Sequence, residues 1–328
     1  MMSVLWIVCP VFQDSAAFLE LRRGVVRHLA PWHLGPRREV RFVVIDDTGH
    51  QDPEMTHLDD VDDVRILHAP FNLGHQGALV FGLRALTPQI AAEDWVVTMD
   101  ADGEDQPADL PRLLGVLCKQ PPGSLDVVLA HRTKRHESWA FKGLYAAFKL
   151  LFRSLTGLVV RTGNYAAFSG AFVRDLLSHP SFDLSYSSTL VSLNVPTILV
   201  PCERGRRAIG QSRMGLSALV RHGLGMLMPF TDRIATRALL AFAVLFAMSM
   251  LIAGTVALVA ALTSHPIPVW TWYLLASILV VSLTSLGHSV LLFMLFAQSR
   301  GLALRGLGPP GGVRDWRGEE ADVAVSQP

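Results

Sequence analysis

An α/β domain built on a mostly parallel sheet, with helices along a membrane surface and two more that cross it, is the architecture this 328-residue chain predicts. Three observations predict it. Over about the first 200 residues, short apolar runs alternate with segments of helical period. Polar and acidic residues gather where the apolar runs stop, the edge of a parallel sheet where ligands bind. Two long uncharged stretches stand near the end of the chain. Composition agrees, with 50% hydrophobic residues, 17% charged residues and a mean hydropathy of +0.35, too apolar for a disordered chain and high for a purely soluble one. A formal charge of +1 lacks the basic excess of a nucleic-acid binder, so no nucleic-acid partner is expected.

The elements follow in order. Ser3 to Cys9 reads as a buried strand and not a leader, because MMSVLWIVCPVF has neither a basic start nor a small-residue cleavage site. A helix is expected from Ser15 to Leu29, then a buried strand from Val40 to Ile45 that stops at Asp46 and Asp47. Val64 to His68 is the third strand, followed by a helix from Gly74 to Leu86. Trp95 to Met99 is the fourth, ending at Asp100, and Asp126 to Ala130 the fifth. GxGxxG and GxxxxGK[ST] are both absent, which removes support for dinucleotide and P-loop sites. Cys9, Cys118 and Cys202 match no CxxC or zinc spacing and are too few for a disulfide framework, which fits a reduced, cytoplasm-facing catalytic part.

From Ser138 to Leu158, Lys142, Lys149 and Arg153 share one helical face beside Phe141, Leu144, Tyr145, Phe148, Leu151 and Phe152, the pattern of a helix lying in the membrane interface. A buried amphipathic helix is the competing reading. Ser212 to Phe230 is a second segment of this kind. Ala238 to Leu262 and Trp270 to Ala297 carry no Asp, Glu, Lys or Arg and are long enough to span a bilayer. The loop between them lacks Lys and Arg, whereas Arg221, Arg233 and Arg237 precede the first span and Arg300 and Arg305 follow the second, so both ends are expected in the cytoplasm. Trp270, Trp272 and Tyr273 would form the aromatic belt on the far side.

The acidic run DADGEDQPADL, residues 100–110, is the strongest chemical signal. A buried strand that stops at two carboxylates one residue apart can present both to one hard divalent ion, Mg²⁺ or Mn²⁺, and such an ion would neutralise a diphosphate. In order along the chain stand CPVFQD at 9–14, VIDDTG at 44–49, NLGHQGA at 72–78, MDADGEDQP at 99–107, AHRTKR at 130–135, TGNYAAFS at 162–169 and ERGRRAIGQSRM at 203–214. This ordered set resembles family 2 glycosyltransferases, and with the terminal spans more narrowly the polyprenyl-phosphate glycosyltransferases, the group of dolichol-phosphate mannosyltransferases and their bacterial relatives.

The resemblance implies a GT-A (Rossmann-like) domain over residues 1–211 and an inverting transfer from a UDP- or GDP-sugar to a polyprenyl phosphate. It implies that Pro10, Val11, Phe12 and Asp14 line the nucleoside and that Asp46 and Asp47 contact base and ribose. Asn72 and Gly74 would form the loop beside them, with His75 and Gln76 equally compatible with a capping or surface role. Asp100, Ala101 and Asp102 would bind the nucleotide-sugar, Asp100 and Asp102 through the metal at its diphosphate, with Glu104 as an added metal contact. Arg132 and Arg135 would hold the acceptor phosphate, and Arg204, Arg207, Ser212 and Arg213 would reach back over the donor. The remaining divisions are a juxtamembrane helix over 212–237, spans at 238–262 and 270–297, and a flexible cytoplasmic tail over 298–328. The bacterial inner membrane is the implied location, an endoplasmic-reticulum membrane the alternative, and self-association is left open. Another lipid or lipid-linked saccharide acceptor, or a catalytically silent membrane scaffold, are the competing functions. A processive polysaccharide synthase fits poorly, since the chain has no QxxRW and only two expected spans.

Overall fold

The computed structural model describes residues 3–31, 38–121, 124, 126–132, 139–159, 162–179, 181–193, 195–203, 205, 216–263 and 268–305. Its centre is a seven-stranded sheet among the described residues, in the spatial order β3-β2-β1-β4-β6-β5-β7. The strands are β1 (Val4–Val11), β2 (Glu39–Asp46), β3 (Val64–His68), β4 (Trp95–Thr98), β5 (Val127–Arg132), β6 (Thr162–Ser169) and β7 (Thr197–Cys202). β1, β2, β3 and β4 run parallel, as do β5 and β7, while β6 is antiparallel to both its neighbours. The sheet is therefore mostly parallel, as the resemblance implies.

β1 shows why the sequence folds this way. All eight of its residues, VLWIVCPV, are buried, the continuous apolar run expected of a strand covered on both faces. On one face its odd-side residues join α1 (Ser15–Leu29) and α3 (Leu110–Leu117) in a core containing Leu5, Ile7, Phe18, Leu21 and Leu114. On the other, Trp6 and Val8 pack with α2 (Gly74–Leu86), α5 (Gly170–Ser178) and α6 (Tyr186–Ser192) around Leu79, Phe172 and Tyr186. Register then aligns the strand ends, since Val11 pairs with Asp46 and Val8 with Thr98. The residues after β1, β2 and β4 consequently share one edge of the sheet.

α4 (Trp139–Thr156) divides the apolar set expected to meet lipid. Phe148 and Phe152 turn inward to a small core with Met226, Leu227 and Phe230, and the Phe152 and Phe230 rings meet edge-on with centroids 5.4 Å apart. Leu150 and Leu151 are exposed. The part of 212–237 that is described is not one helix, as expected, but two: α7 (Leu216–Leu227), a 3₁₀ turn at Met228–Phe230, then α8 (Thr231–Thr263). Pro229 accounts for the break, because it cannot donate to a continuing helical ladder.

Within α8, Arg233–Val259 is 27 residues long with a hydropathy of 2.4 and is the one stretch among the described residues that is long and apolar enough to cross a membrane. α9 (Val269–Arg305) packs against α8 and contains the shorter apolar segment Val269–Val281. It runs past Ala297, so residues 298–305 are helical and not the tail expected from 298; residues 306–328 lie outside the described set.

Candidate active site

Three loops meet at the shared sheet edge. The first follows β1, where Pro10 and Val11 are buried strand residues and Phe12 is 41% exposed. Asp14 stands directly before α1, its carbonyl accepting from Phe18 N at 3.1 Å. With Gln13, Thr48, Gly49, Gln51, Pro70, Phe71 and Asn72, Phe12 lines a cleft of about 230 Å³. Gln13 and His50, at φ 55° and 64°, hold left-handed backbone conformations at its rim, uncommon for residues with a side chain.

The second loop, after β2, holds its two aspartates by hydrogen bonds within the chain. Asp46 is 0% exposed, and its carboxylate is taken up by Thr48 N at 3.0 Å, Thr48 Oγ1 at 2.5 Å and His68 Nδ1 at 2.9 Å. Burial would raise its pKa, but these hydrogen bonds outweigh burial and hold it below the usual value. Asp47 is 4% exposed and accepts from Leu73 N at 2.6 Å. Both carboxylates fasten their loops, Asp46 the 46–51 turn and Asp47 the entry to α2. Asn72 is exposed, and its Oδ1 accepts from Gly74 N at 2.8 Å, closing a turn that Gly74 permits with φ +71°.

Burial pushes the Asp47 carboxyl up to about 6 against the opposing bonds from Leu73 and Gly74. Because the folded state holds this proton more tightly than the unfolded chain does, the group's contribution to stability is complete below about pH 4 and is lost as pH rises through about 6. Asp47→Asn should therefore melt above the parent at pH 7.5, by up to about 2 kcal/mol, and match it near pH 4. Thermal denaturation at the two pH values measures this; a gap that widens toward acid would contradict the assignment.

The third loop carries the acidic run. Asp100 N donates to Asp105 Oδ2 at 2.9 Å and Glu104 N to Asp102 Oδ1 at 3.0 Å, which folds four carboxylates into six residues. Asp100 Oδ1 lies 3.0 Å from His75 Nε2. Burial alone would lower the imidazole's pKa, yet Asp100, with Asp102 and Asp105, raises it above the usual histidine value. Cys9 Sγ, buried beneath the same loop, is also raised, by burial first and then by Asp100 and Asp105.

Two oxygen-donor side chains in a concentrated negative field suit a hard divalent cation. Among the described residues no three His, Cys, Asp or Glu side chains are already grouped around one point that could hold an ion. A cation here would be held by Asp100 and Asp102 and completed by a ligand's phosphate oxygens, the usual arrangement for Mg²⁺. When bound it would act as a Lewis acid on the leaving diphosphate.

A polar network below this loop has no counterpart in the sequence reading. Gln76 Nε2 donates to Asn164 Oδ1 at 2.7 Å, while Gln76 Oε1 accepts from Ser187 N at 2.8 Å and Ser187 Oγ at 2.9 Å. Asn164 Nδ2 reaches His75 and, at 3.4 Å, Asp100 Oδ1. His75, Gln76, Asn164 and Ser187 thus connect α2, β6 and α6 to Asp100 of the acidic loop. The motifs NLGHQGA, TGNYAAFS and MDADGEDQP contained all but Ser187.

The cationic half of the expected site is less described. Arg132 ends β5 and pairs with Cys202 of β7. Arg135, Arg204, Arg207, Ser212 and Arg213 lie outside the described residues. Gly205, within the expected basic segment, is described, and its N donates to Glu104 O at 2.9 Å, so the chain leaving β7 returns to the acidic loop.

The chain is similar in sequence to known bacterial transferases. Over 223 residues the chain is 27% identical to the undecaprenyl-phosphate 4-deoxy-4-formamido-L-arabinose transferase of Sodalis glossinidius (strain morsitans), covering 65% of this chain and 64% of that protein. The protein of the same name from Enterobacter sp. (strain 638) is 26% identical over 224 residues, covering 65% and 63%. The chain thus spans just under two thirds of the length of these relatives. Among solved structures, glucosyl-3-phosphoglycerate synthase from Mycobacterium tuberculosis, in complex with Mn²⁺, UDP and phosphoglyceric acid, aligns with a TM-score of 0.47 at 15% identity, covering 71% of this chain and 78% of that one. The family model described as glycosyl transferase family 2 matches residues 6–177, more than half of the chain. On that match the chain belongs to glycosyl transferase family 2.

Proposed function

We propose that this protein moves a sugar from a nucleoside-diphosphate sugar, UDP- or GDP-linked, to a polyprenyl phosphate at the cytoplasmic face of a bacterial inner membrane. The observation that carries the reading is a family 2 acidic loop and cleft in one chain with a helix of membrane-crossing length and composition. Relatives whose names specify undecaprenyl-phosphate transferase support the acceptor class.

Under this reading the nucleoside enters the cleft beside Phe12 and Asn72, and the diphosphate lies toward Asp100 and Asp102. Arg132 and Arg135 hold the acceptor phosphate, and Arg204, Arg207, Ser212 and Arg213 meet the departing diphosphate; a guanidinium fork matches phosphate oxygens in a way that Lys does not. One phosphate oxygen of the lipid attacks the anomeric carbon from the face opposite the leaving group. The anomeric C–O bond to the β-phosphate breaks, the configuration inverts and a nucleoside diphosphate leaves. The attacking phosphate is already anionic near neutral pH, so the protein chiefly positions the partners and stabilises charge. A catalytic domain over 1–211, an interfacial helix over 138–158, a juxtamembrane segment over 212–237 and spans at 238–262 and 270–297, with both termini cytoplasmic, complete the proposal. The exposed Leu150 and Leu151 of α4 and Val220 and Leu224 of α7 supply apolar surface for the bilayer.

The test is a transfer assay with the full chain in detergent, undecaprenyl phosphate, Mg²⁺ or Mn²⁺ and a panel of labelled UDP- and GDP-sugars. Label entering the organic phase from one donor supports the proposal, and nucleotide binding without transfer from any donor overturns it. Arg132→Ala should raise the acceptor KM about tenfold or more while leaving nucleotide affinity near the parent value, since a charge-assisted phosphate contact is lost. An unchanged acceptor KM would place Arg132 elsewhere in the chemistry.

A further inference from the structure

The acidic loop poses an electrostatic problem: Asp100, Asp102, Glu104 and Asp105 crowd within six residues, and their repulsion favours an open loop. Two side-chain bonds draw it in, Asp105 accepting from Asp100 N across the loop and Asp102 accepting from Glu104 N within it. Two further contacts, from residues outside 100–105, hold the backbone carbonyls of Gly103 and Glu104. Gln106 Nε2 donates to Gly103 O at 2.7 Å, with the Gln106 carbonyl held by Tyr165 Oη of β6 at 3.3 Å. Gly205, three residues past the end of β7, donates its N–H to Glu104 O at 2.9 Å. These contacts interlock, because a Cβ at Gly205 would collide with both Gln106 Nε2 and the Gly103 carbonyl oxygen. Only a glycine lets the two backbones cross this closely.

We propose that Gly205 and Gln106 are positioning residues that hold the acidic loop in its cation-binding shape before the cation arrives. The proposal rests on the reading that Asp100 and Asp102 bind a divalent cation with the donor diphosphate. A loop already closed against its own repulsion loses little further freedom on binding, so the latch contributes to metal affinity and not to nucleoside contact. It also joins the end of β7 to the metal loop.

The experiment measures Mn²⁺ uptake by the full chain in detergent, from the electron paramagnetic resonance signal of free Mn²⁺, with UDP or GDP present. Nucleotide affinity in EDTA and melting temperature are recorded in parallel. Gly205→Ala should raise the Mn²⁺ concentration at half saturation about tenfold or more, the usual effect of losing a group that orients a metal ligand. Nucleotide affinity in EDTA should stay at the parent value, and transfer should recover at high Mn²⁺. Gln106→Ala should weaken Mn²⁺ uptake less. The double variant should be milder than the product of the two single effects, because removing the Gln106 side chain relieves one of the two collisions. If Gly205→Ala does not fold, Gln106→Ala carries the test. Folded variants with parental Mn²⁺ affinity overturn the latch, as does a loss of nucleotide affinity in EDTA that accounts for the whole effect. A parent chain that takes up no Mn²⁺ with either nucleotide overturns the metal reading itself and the latch with it.

Discussion

Replacing Asp102 with Asn is expected to lower sugar transfer about a thousand-fold, the scale on which removal of a principal charge-stabilising group acts. The substitution is nearly isosteric. The hydrogen bond the structure assigns to this side chain, from Glu104 N to Asp102 Oδ1 at 3.0 Å, survives because an amide oxygen accepts it equally well. What is lost is a negative charge one residue from Asp100, and with it much of the attraction for the cation that would neutralise the leaving diphosphate. Circular dichroism and nucleotide affinity in EDTA should match the parent while the transfer rate collapses. A rate within tenfold of the parent would remove Asp102 from the chemistry.

The second large effect is on folding. Asp94 lies at the opposite end of the sheet from the candidate site and is 3% exposed. Its carboxylate accepts from Val4 N at 2.7 Å, Trp6 Nε1 at 3.0 Å and Ala91 N at 2.9 Å, tying the start of β1 to the turn before β4. Asp94→Ala removes the acceptor and leaves three donors behind, two of them buried with Trp6 and Val4. An unmet buried donor costs about 1–3 kcal/mol, so the variant should lose roughly 3–5 kcal/mol. Denaturant titration measures the loss. Transfer per folded molecule at low temperature should be unchanged, since no Asp94 contact reaches the acidic loop, and a specific loss of turnover would mean that the two ends of the sheet are coupled.

The contrast between these two aspartates shows what a single sequence makes legible. Asp100 and Asp102 were visible because a buried strand stops abruptly at them, and β1 to β5 were visible as apolar runs. β6 and β7 were not. TGNYAAFS has no clear alternation, and TILVPC contains a proline, which argues against a strand except at a sheet edge, where β7 in fact lies. The role of Asp46 at base and ribose came from the resemblance alone, and its hydrogen-bond partners could not be read from the sequence. Its burial depends on His68, 22 residues away, and on the fold of the turn between them.

The Gln76–Asn164–Ser187 network escaped for the same reason, since its members are 88 and 111 residues apart from Gln76 in the chain. A polar side chain on an apolar helix face, as Gln76 is on α2, was the one available signal. At the membrane end, the sequence reads as one helix over 212–237, and the break at Pro229 was not foreseen; the inward turn of Phe148 and Phe152 required the position of α7, which helical periodicity in α4 alone does not supply.

The central claim, glycosyl transfer to a polyprenyl phosphate, is tested most directly by the mass of the lipid product together with the nucleotide released. With undecaprenyl phosphate and the productive donor, the lipid should gain the mass of one glycosyl residue, with one nucleoside diphosphate released per product. A lipid that gains a sugar phosphate while a nucleoside monophosphate appears, or a donor consumed with no change in the lipid, would contradict it.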